Sequence, residues 1–213
     1  MKPKVLTFIL KNKALIMMNI LGFYLFAKMA EDVIEKEYIL VIDRWIDTYI
    51  NALQTPLLTQ FMVALTNFNG AMAIFIFSLF MILFLIYKRW YEDLFFYIFS
   101  VFGANIAFIV IKMIVQRARP SSELLTIATH SFPSGHATMA TAMSLAVYFI
   151  FAKRVHSIGL QIVLWIGCIV WPVIIAFSRV YLNVHWLSDV IAGIGLGLFW
   201  VTLIALIYRF KNI

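Results

Sequence analysis

Two ionisable side chains lie four residues apart in the segment SRVYLNVHWLSD, residues 178–189. If His185 and Asp189 occupy one helical turn, the carboxylate can accept a hydrogen bond from one ring nitrogen and leave the other nitrogen free. Such a carboxylate fixes the tautomer and raises the basicity of the free nitrogen, which suits a nucleophile or a general base. Asp189 alone would also suit a helix cap. The pair, following Ser178 and Arg179, favours a chemical role.

A second histidine lies in SFPSGHATMA, residues 131–140. Proline is tolerated in the first turn of a helix, so Pro133 predicts a helix start here. The N–H groups of Ser134, Gly135 and His136 would then be available to an anion, and the glycine would let an oxyanion approach the backbone closely. A lone histidine at the end of a span is more often an interfacial polar residue. Its position directly after Pro-Ser-Gly favours a functional one.

Two cations lie seven residues apart in IKMIVQRARPSS, residues 111–122. Lys112 and Arg119 share one face if their helix continues to about residue 118, although Pro120 disfavours helix at Arg119 itself. Seven helical residues cover roughly 10 Å, so the two cations could point into one cavity from different depths. The alternative is that both side chains snorkel to lipid headgroups. Together, the three segments could surround one small tetrahedral dianion.

The composition is that of a membrane protein. Of 213 residues, 64% are hydrophobic and 13% are charged, whereas soluble domains carry about a quarter charged residues. The net charge of +7 is dispersed between apolar runs, which argues against a nucleic-acid-binding domain. The single cysteine, Cys168, excludes an intramolecular disulfide and leaves too few thiolates for a structural zinc site.

Six stretches are long and apolar enough to cross a bilayer, namely residues 14–30, 61–87, 94–111, 135–152, 158–177 and 190–208. The chain is therefore predicted to be an all-α, polytopic membrane protein, with six transmembrane helices in one bundle and a single domain over residues 1–213. Four lysines precede the first span, as in a signal peptide, but no small-residue cleavage site follows it. We expect this span to remain as an uncleaved anchor.

The distribution of basic residues predicts the orientation, because loops rich in Lys and Arg tend to stay cytoplasmic. With the N-terminus inside, the cytoplasmic segments hold ten of the seventeen basic residues, which are Lys2, Lys4, Lys11, Lys13, Lys88, Arg89, Lys153, Arg154, Arg209 and Lys211. Both termini are predicted to be cytoplasmic. The three polar segments described above then meet at the extracytoplasmic end of the bundle.

The longest outer segment, residues 31–60, combines apolar residues at helical spacing with acidic ones. This pattern predicts an amphipathic helix lying in the outer interface, with Trp45 and Tyr49 at headgroup depth and Asp43 and Asp47 on the other face. A helix packed on the spans as part of a soluble loop is an equal alternative.

Two groups of small or polar residues fall within predicted spans. The run GIGLG, residues 193–197, indicates close helix packing, since no strand precedes it as a nucleotide-binding glycine loop would require. Asn67, Asn69 and Gly70 weaken the second span near its outer half.

The three polar segments read Lys112-x6-Arg119-Pro120, then Pro133-Ser134-Gly135-His136, then Ser178-Arg179-x5-His185-x3-Asp189. Together they resemble the three-part signature of the type 2 phosphatidic acid phosphatases, integral-membrane lipid phosphatases that are related to vanadium-dependent haloperoxidases. The match is complete in all three blocks and in their order. Six spans over this length resemble the small bacterial members, the phosphatidylglycerophosphatases among them.

The resemblance implies roles for eight residues. It implies that His185, oriented by Asp189, attacks phosphorus to form a phosphohistidine, and that His136 protonates the leaving oxygen and then activates water. The phosphate would be bound by Lys112, Arg119, Ser134, Gly135 and Arg179. Because three protein cations would take the place of metal ions, neither a metal nor a cofactor is expected.

The resemblance also implies a substrate and a location. The expected reaction is hydrolysis of phosphatidylglycerophosphate to phosphatidylglycerol in a bacterial cell membrane. The expected partners are the bilayer and a membrane lipid phosphate, with no nucleic acid and no obligatory protein partner.

Three alternative functions are compatible with the composition. Within the family, the chain could remove phosphate from undecaprenyl pyrophosphate and so recycle the cell-wall lipid carrier. A lipid transporter or flippase would need polar groups along several spans at midplane depth, whereas this chain concentrates them at one end. A purely structural membrane anchor would leave both histidines unexplained.

Overall fold

The computed structural model describes residues 2–125 and 127–211, without the side chains of residues 2–5. Residues 1, 126, 212 and 213 of the predicted 1–213 domain lie outside the described residues. Within the described part there are nine helices and no strand: α1 (Lys2–Lys11), α2 (Lys13–Glu35), α3 (Ile39–Leu53), α4 (Pro56–Asn67), α5 (Ala71–Tyr87), α6 (Tyr91–Val115), α7 (Gly135–Phe151), α8 (Ile158–Tyr181) and α9 (Leu187–Lys211). The all-α prediction is confirmed.

Five helical segments of the described chain are long and apolar enough to cross a membrane. They are α2, the α4–α5 pair, α6, α8 and α9. The remaining predicted span, residues 135–152, corresponds to α7, which is apolar but has only 17 residues, or roughly 25 Å of helix. It contacts α6, α8 and α9 inside the bundle. The predicted polytopic bundle is therefore confirmed, with one short span at its centre.

The second predicted span, residues 61–87, is not one continuous helix. Helix α4 ends at Asn67 and α5 begins at Ala71, and the two together form the predicted second span. The break falls at Asn67, Asn69 and Gly70, where the sequence predicted a weakened span, and it contributes a hydrogen bond to the start of α7. The buried Asn69 lies in it and donates a side-chain hydrogen bond to the carbonyl oxygen of His136 at 2.9 Å. The interrupted backbone thus supports the start of α7.

Close approach between α7 and α9 depends on the glycines of α9. A Cβ atom on Gly193 would lie 2.6 Å from the carbonyl oxygen of Ser134, and one on Gly197 would lie 2.7 Å from that of Thr138. On another face of α9, a Cβ on Gly195 would lie 2.9 Å from the carbonyl oxygen of Gly22 in α2. The prediction that this glycine run packs helices closely is confirmed.

Helix α3 occupies the predicted amphipathic segment, and its acidic residues lie on a different face from Trp45 and Tyr49, as predicted. Trp45 and Tyr49 are exposed at 65% and 57%, and their rings stack with centroids 5.6 Å apart. Asp43, on the other face of the helix, is only 1% exposed. Asp47 also faces inward and accepts hydrogen bonds from Ser122. The acidic side of α3 faces the protein because that is where its hydrogen-bond donors lie.

We predict that Gly197→Val lowers the stability of the folded protein in detergent. The Cβ of the valine would lie less than 3 Å from the carbonyl oxygen of Thr138 and from the Cβ of Thr141, both in α7. Overpacking of this kind typically costs about 1–3 kcal/mol. The measurement is the midpoint of thermal unfolding of the purified protein.

Gly167→Val is the matched control, since a Cβ there meets nothing within 4 Å. Equal shifts of the midpoint for the two variants would contradict the packing role of Gly197.

Candidate active site

The predicted site residues converge at one end of the bundle, where α6 and α8 end and α7 and α9 begin. A cavity of about 370 Å³ opens there. Six of the eight predicted residues line it: Lys112, Arg119, Gly135, His136, Arg179 and His185. Ser134 and Asp189 are fully buried and lie outside the lining. The three sequence segments therefore form one site, with two of their members behind its wall.

Lys112 lies in α6 as predicted, but Arg119 reaches the cavity by a different route from the predicted one. Helix α6 ends at Val115 and Gln116 adopts a left-handed conformation with φ of 49°, so the expected continuation to about residue 118 is wrong. The following residues are held by the next loop instead, because the N–H of Ser131 donates to the carbonyl oxygen of Arg117 at 2.8 Å. Arg119 therefore enters the cavity from an extended segment.

Carbonyl oxygens position these two cations. The Nζ of Lys112 donates to the carbonyl of His130 at 3.0 Å. The guanidinium of Arg119 donates to the carbonyls of Thr129, at 2.7 Å, and of Val184. Neutral acceptors fix the side chains in place and leave their positive charge unneutralised.

The start of α7 differs by two residues from the prediction. Ser134 is the N-cap and its hydroxyl accepts from the N–H of Ala137, so Pro133 precedes the helix and is not in its first turn. The N–H of Ser134 donates to the carbonyl oxygen of Asp189 at 3.0 Å. This hydrogen bond uses the amide that was expected to bind phosphate, and that expectation for Ser134 is therefore corrected.

The amides of Gly135 and His136 remain at the helix start. As the first residues of α7 they have no acceptor within the helix, and no hydrogen bond to another described residue engages their N–H groups. A Cβ on Gly135 would lie 2.8 Å from the ring of Phe108, which lines the cavity. The glycine thus makes room for an aromatic wall as well as for a ligand.

His185 and Asp189 form the predicted pair, although not within one helix. His185 lies between α8 and α9, and α9 begins at Leu187. Its Nδ1 is 3.4 Å from Oδ2 of Asp189, and the same oxygen accepts from the N–H of Trp186 at 3.0 Å. Asp189 therefore contacts the histidine and also caps the helix, so the two interpretations of this residue both hold.

The electrostatic environment keeps the imidazole of His185 neutral. Its side chain is buried, and burial, reinforced by the three nearby cations, holds the pKa of His185 well below its ordinary value. A neutral imidazole that donates Nδ1–H to a carboxylate presents a lone pair on Nε2. That atom is 3.4 Å from Nη1 of Arg119 at the cavity wall.

Arg179 is the most deeply buried of the three cations, at 3% exposed. Its Nη1 donates to the hydroxyl of Thr66 at 2.9 Å. Its Nε is buried and has no hydrogen-bond partner among the described residues. A buried guanidinium N–H without an acceptor is costly, and at a cavity wall it is suited to an anionic ligand.

Two functional candidates escaped the sequence analysis, Arg117 and Asp43. Arg117 donates to Oδ1 of Asp189 at 2.6 Å and to Oδ2 of Asp43 at 2.7 Å. The i, i+4 spacing of Asp43 and Asp47 puts two acids on one face of α3, but nothing in the sequence connects that face with Arg117.

Arg117 differs from the three cations of the cavity in its ion pairs. Arg117 bridges two carboxylates, whereas Lys112, Arg119 and Arg179 form no ion pair with a carboxylate of the described residues. The three unpaired cations, two α7 amides and two histidines face one space. This set can bind a phosphoryl group, stabilise charge that develops on its oxygens, and supply a nucleophile and a proton donor.

Comparison with known proteins agrees with this chemistry. Phosphatidylglycerophosphatase B of Bacillus subtilis is 26% identical over 172 residues, which cover 79% of this chain and 78% of that protein. An undecaprenyl-diphosphatase of Sulfolobus acidocaldarius is 34% identical over 76 residues, or 36% of this chain and 32% of that protein.

The fold has a close counterpart among solved structures. The crystal structure of a transmembrane PAP2-type phosphatidylglycerolphosphate phosphatase from Bacillus subtilis superposes with a TM-score of 0.81 at 22% identity, covering 91% of this chain and 96% of that one. The sequence model of the PAP2 superfamily matches residues 93–213, which include all three polar segments. The chain therefore belongs to the PAP2 superfamily and is a multi-pass membrane phosphatase.

Proposed function

We propose that the chain hydrolyses phosphatidylglycerophosphate to phosphatidylglycerol and phosphate, through a phosphohistidine on His185. The observation that carries the proposal is the set of cations without carboxylate partners, Lys112, Arg119 and Arg179, around a cavity that two histidines also line. Three positive charges in one cavity repel one another unless an anion binds between them. A phosphate monoester dianion has the required charge and size.

In the first half-reaction, Nε2 of His185 attacks phosphorus. The phosphorus–nitrogen bond forms as the bond to the alcohol oxygen of the lipid breaks, and His136 gives its proton to that oxygen. Lys112, Arg119 and Arg179, with the N–H groups of Gly135 and His136, stabilise the phosphoryl oxygens. Asp189 stabilises the positive charge that develops on the imidazole of His185.

In the second half-reaction, water attacks the phosphorus of the phosphohistidine. His136, now neutral, accepts the proton from this water, and the phosphorus–nitrogen bond breaks to release inorganic phosphate and neutral His185. The positive charges that the transferred group requires come from side chains, so we propose that the reaction requires no metal ion and no cofactor.

A second cavity supports a lipid substrate. It has a volume of about 340 Å³, lies between α5, α7 and α8, and shares Asn69 and Ile74 with the first cavity. Its wall is mostly apolar and includes Phe77, Val163 and Gly167, which are exposed on the outer face of the bundle. A hydrocarbon chain could lie there while its phosphate occupies the first cavity.

The choice among lipid phosphates rests on the relatives. A protein named phosphatidylglycerophosphatase B matches 79% of this chain, which favours phosphatidylglycerophosphate. The match to an undecaprenyl-diphosphatase favours undecaprenyl pyrophosphate as the second candidate. The same cations and histidines could serve either phosphate.

We propose that the site lies at the extracytoplasmic end of the bundle and that both termini are cytoplasmic, on the basis of the distribution of Lys and Arg.

We expect His185→Ala to abolish phosphate release, because it removes the nucleophile, and His136→Ala to reduce release by about 10²–10⁴-fold, because it removes the general acid. Activity of the wild-type protein should persist in EDTA. The measurement is phosphate release from phosphatidylglycerophosphate in detergent, and His156→Ala, in the exposed connection between α7 and α8, is the control.

Wild-type release by both site variants would exclude the mechanism. Loss of activity in EDTA, restored by a divalent cation, would exclude metal independence.

We expect phosphatidylglycerophosphate to be turned over with a higher kcat/KM than undecaprenyl pyrophosphate in the same detergent. The measurement is a side-by-side comparison of the two lipids with one enzyme preparation. A strong preference for the pyrophosphate would reverse the assignment of substrate while leaving the phosphatase chemistry intact.

We expect Gly167→Phe to lower kcat/KM for long-chain lipid phosphates by roughly 10-fold, since a phenyl ring at this position fills space that a hydrocarbon chain would occupy. Hydrolysis of a short-chain, water-soluble phosphate ester should be unchanged. The backbone tolerates the substitution because a Cβ there has no neighbour within 4 Å.

Gly159→Phe, near the start of the same helix α8 and away from both cavities, is the matched control. An equal effect of Gly167→Phe on long and short substrates would contradict a lipid-chain site at the second cavity.

A further inference from the structure

We infer that Asp43 of helix α3 is a positioning residue for the reaction at His185, acting through Arg117 and Asp189. The inference rests on the proposed function, in which His185 is the nucleophile. Asp43 does not touch the cavity, and it lies outside residues 93–213, which carry the family match.

A continuous series of contacts connects Asp43 to the nucleophile. Nη2 of Arg117 donates to Oδ2 of Asp43 at 2.7 Å, and Nη1 of the same guanidinium donates to Oδ1 of Asp189 at 2.6 Å. The other oxygen of Asp189, Oδ2, is 3.4 Å from Nδ1 of His185. One planar guanidinium thus binds the two carboxylates at fixed distances.

Asp43 is also fixed from a second direction. Its Oδ1 accepts from the N–H of Ser188 at 2.9 Å, and its Oδ2 accepts from the Ser188 hydroxyl at 2.5 Å. Ser188 lies in the first turn of α9, directly before Asp189. An acid on α3 therefore holds both the arginine that orients Asp189 and the backbone that carries Asp189.

The charges of this group explain why an acid is needed at position 43. Arg117 orients Asp189 but also withdraws part of its negative charge from His185. The attack on phosphorus makes His185 more positive, so the mechanism needs the negative charge of Asp189. Asp43 neutralises Arg117 from the opposite side, at 1% exposure, where solvent screening is weak. The arginine can then orient Asp189 while the net charge of the group stays negative.

Asp47 provides a matched comparison on the same face of α3. Its Oδ1 accepts from the hydroxyl of Ser122 at 2.9 Å and from Nδ2 of Asn183 at 2.6 Å. These bonds attach α3 to the same end of the bundle, but they do not reach Arg117 or Asp189. A general need to anchor α3 would affect both acids, whereas the positioning role is specific to Asp43.

The test compares Asp43→Asn with Asp47→Asn, using the full-length protein in detergent with phosphatidylglycerophosphate. Outer groups that orient metal-bound histidines are typically worth about 10–100-fold in activity. Asp43 orients His185 in a similar way through Arg117 and Asp189, so we expect kcat to fall by about that factor for Asp43→Asn. KM should change by less than about threefold, because the phosphate-binding cations are untouched. Asp47→Asn should keep kcat within about threefold of the wild-type value.

A double-variant cycle separates positioning from anchoring. If Asp43 acts through Arg117, then Asp43→Asn should cost little additional kcat in a protein that already carries Arg117→Gln. Equal kcat losses in the presence and absence of Arg117 would overturn the inference, as would equal losses for Asp43→Asn and Asp47→Asn or a wild-type kcat for Asp43→Asn.

Arg117→Lys tests the inference if Asp43→Asn does not fold. Lysine keeps the positive charge but lacks the planar fork that binds two carboxylates, so kcat should again fall with little change in KM. A wild-type kcat for Arg117→Lys would overturn the inference.

His185→Ala is assayed in parallel. Full activity of that variant would exclude the proposed function itself, whereas an inactive His185→Ala together with a fully active Asp43→Asn would exclude only the role of Asp43.

Discussion

The structure depends on holding three positive charges together at the end of a helical bundle without neutralising them. Lys112, Arg119 and Arg179 face one cavity, and their nearest fixed acceptors are carbonyl and hydroxyl oxygens. A carboxylate partner would satisfy each cation, but it would also compete with the phosphate. Neutral acceptors fix the geometry and leave the attraction for an anion available, which is the arrangement that electrostatic stabilisation of a transferred phosphoryl group requires.

Helix packing brings the carriers of these groups together. Glycines of α9 let α7 approach closely enough for the N–H of Ser134 to bond to the carbonyl of Asp189. That bond joins the first turns of the two helices that carry His136 and Asp189. The break between α4 and α5 adds Asn69, which holds the carbonyl of His136. Backbone contacts between helices thus place His136, the proposed proton donor, relative to Asp189, while His185 lies in the short connection between α8 and α9.

The sequence predicted the site better than it predicted the elements around it. Chemistry at a phosphoryl group restricts residue types strongly, so the spacing of Lys112, Arg119, His136 and His185 was informative without a structure. Helix ends were less predictable, because α6 ends at Val115 before Gln116, a residue whose left-handed conformation no local pattern signals. The contact between Asp43 and Arg117 was not predictable either, since hydropathy marks which face of α3 is apolar but not whether lipid or protein covers that face.

Asp43, the acid that we infer to act on Asp189, lies outside the segment that carries the family match. The match to the sequence model of the PAP2 superfamily begins at Asp93, after α3. A fragment cut to that boundary would retain every residue of the three polar segments and would still lose the carboxylate that balances Arg117. Exchange of the N-terminal segment for one without an acid at the position of Asp43 would lower kcat for the same reason. By the inference drawn from Asp43, the functional unit extends beyond residues 93–213 to α3, because a carboxylate there balances the charge of Arg117.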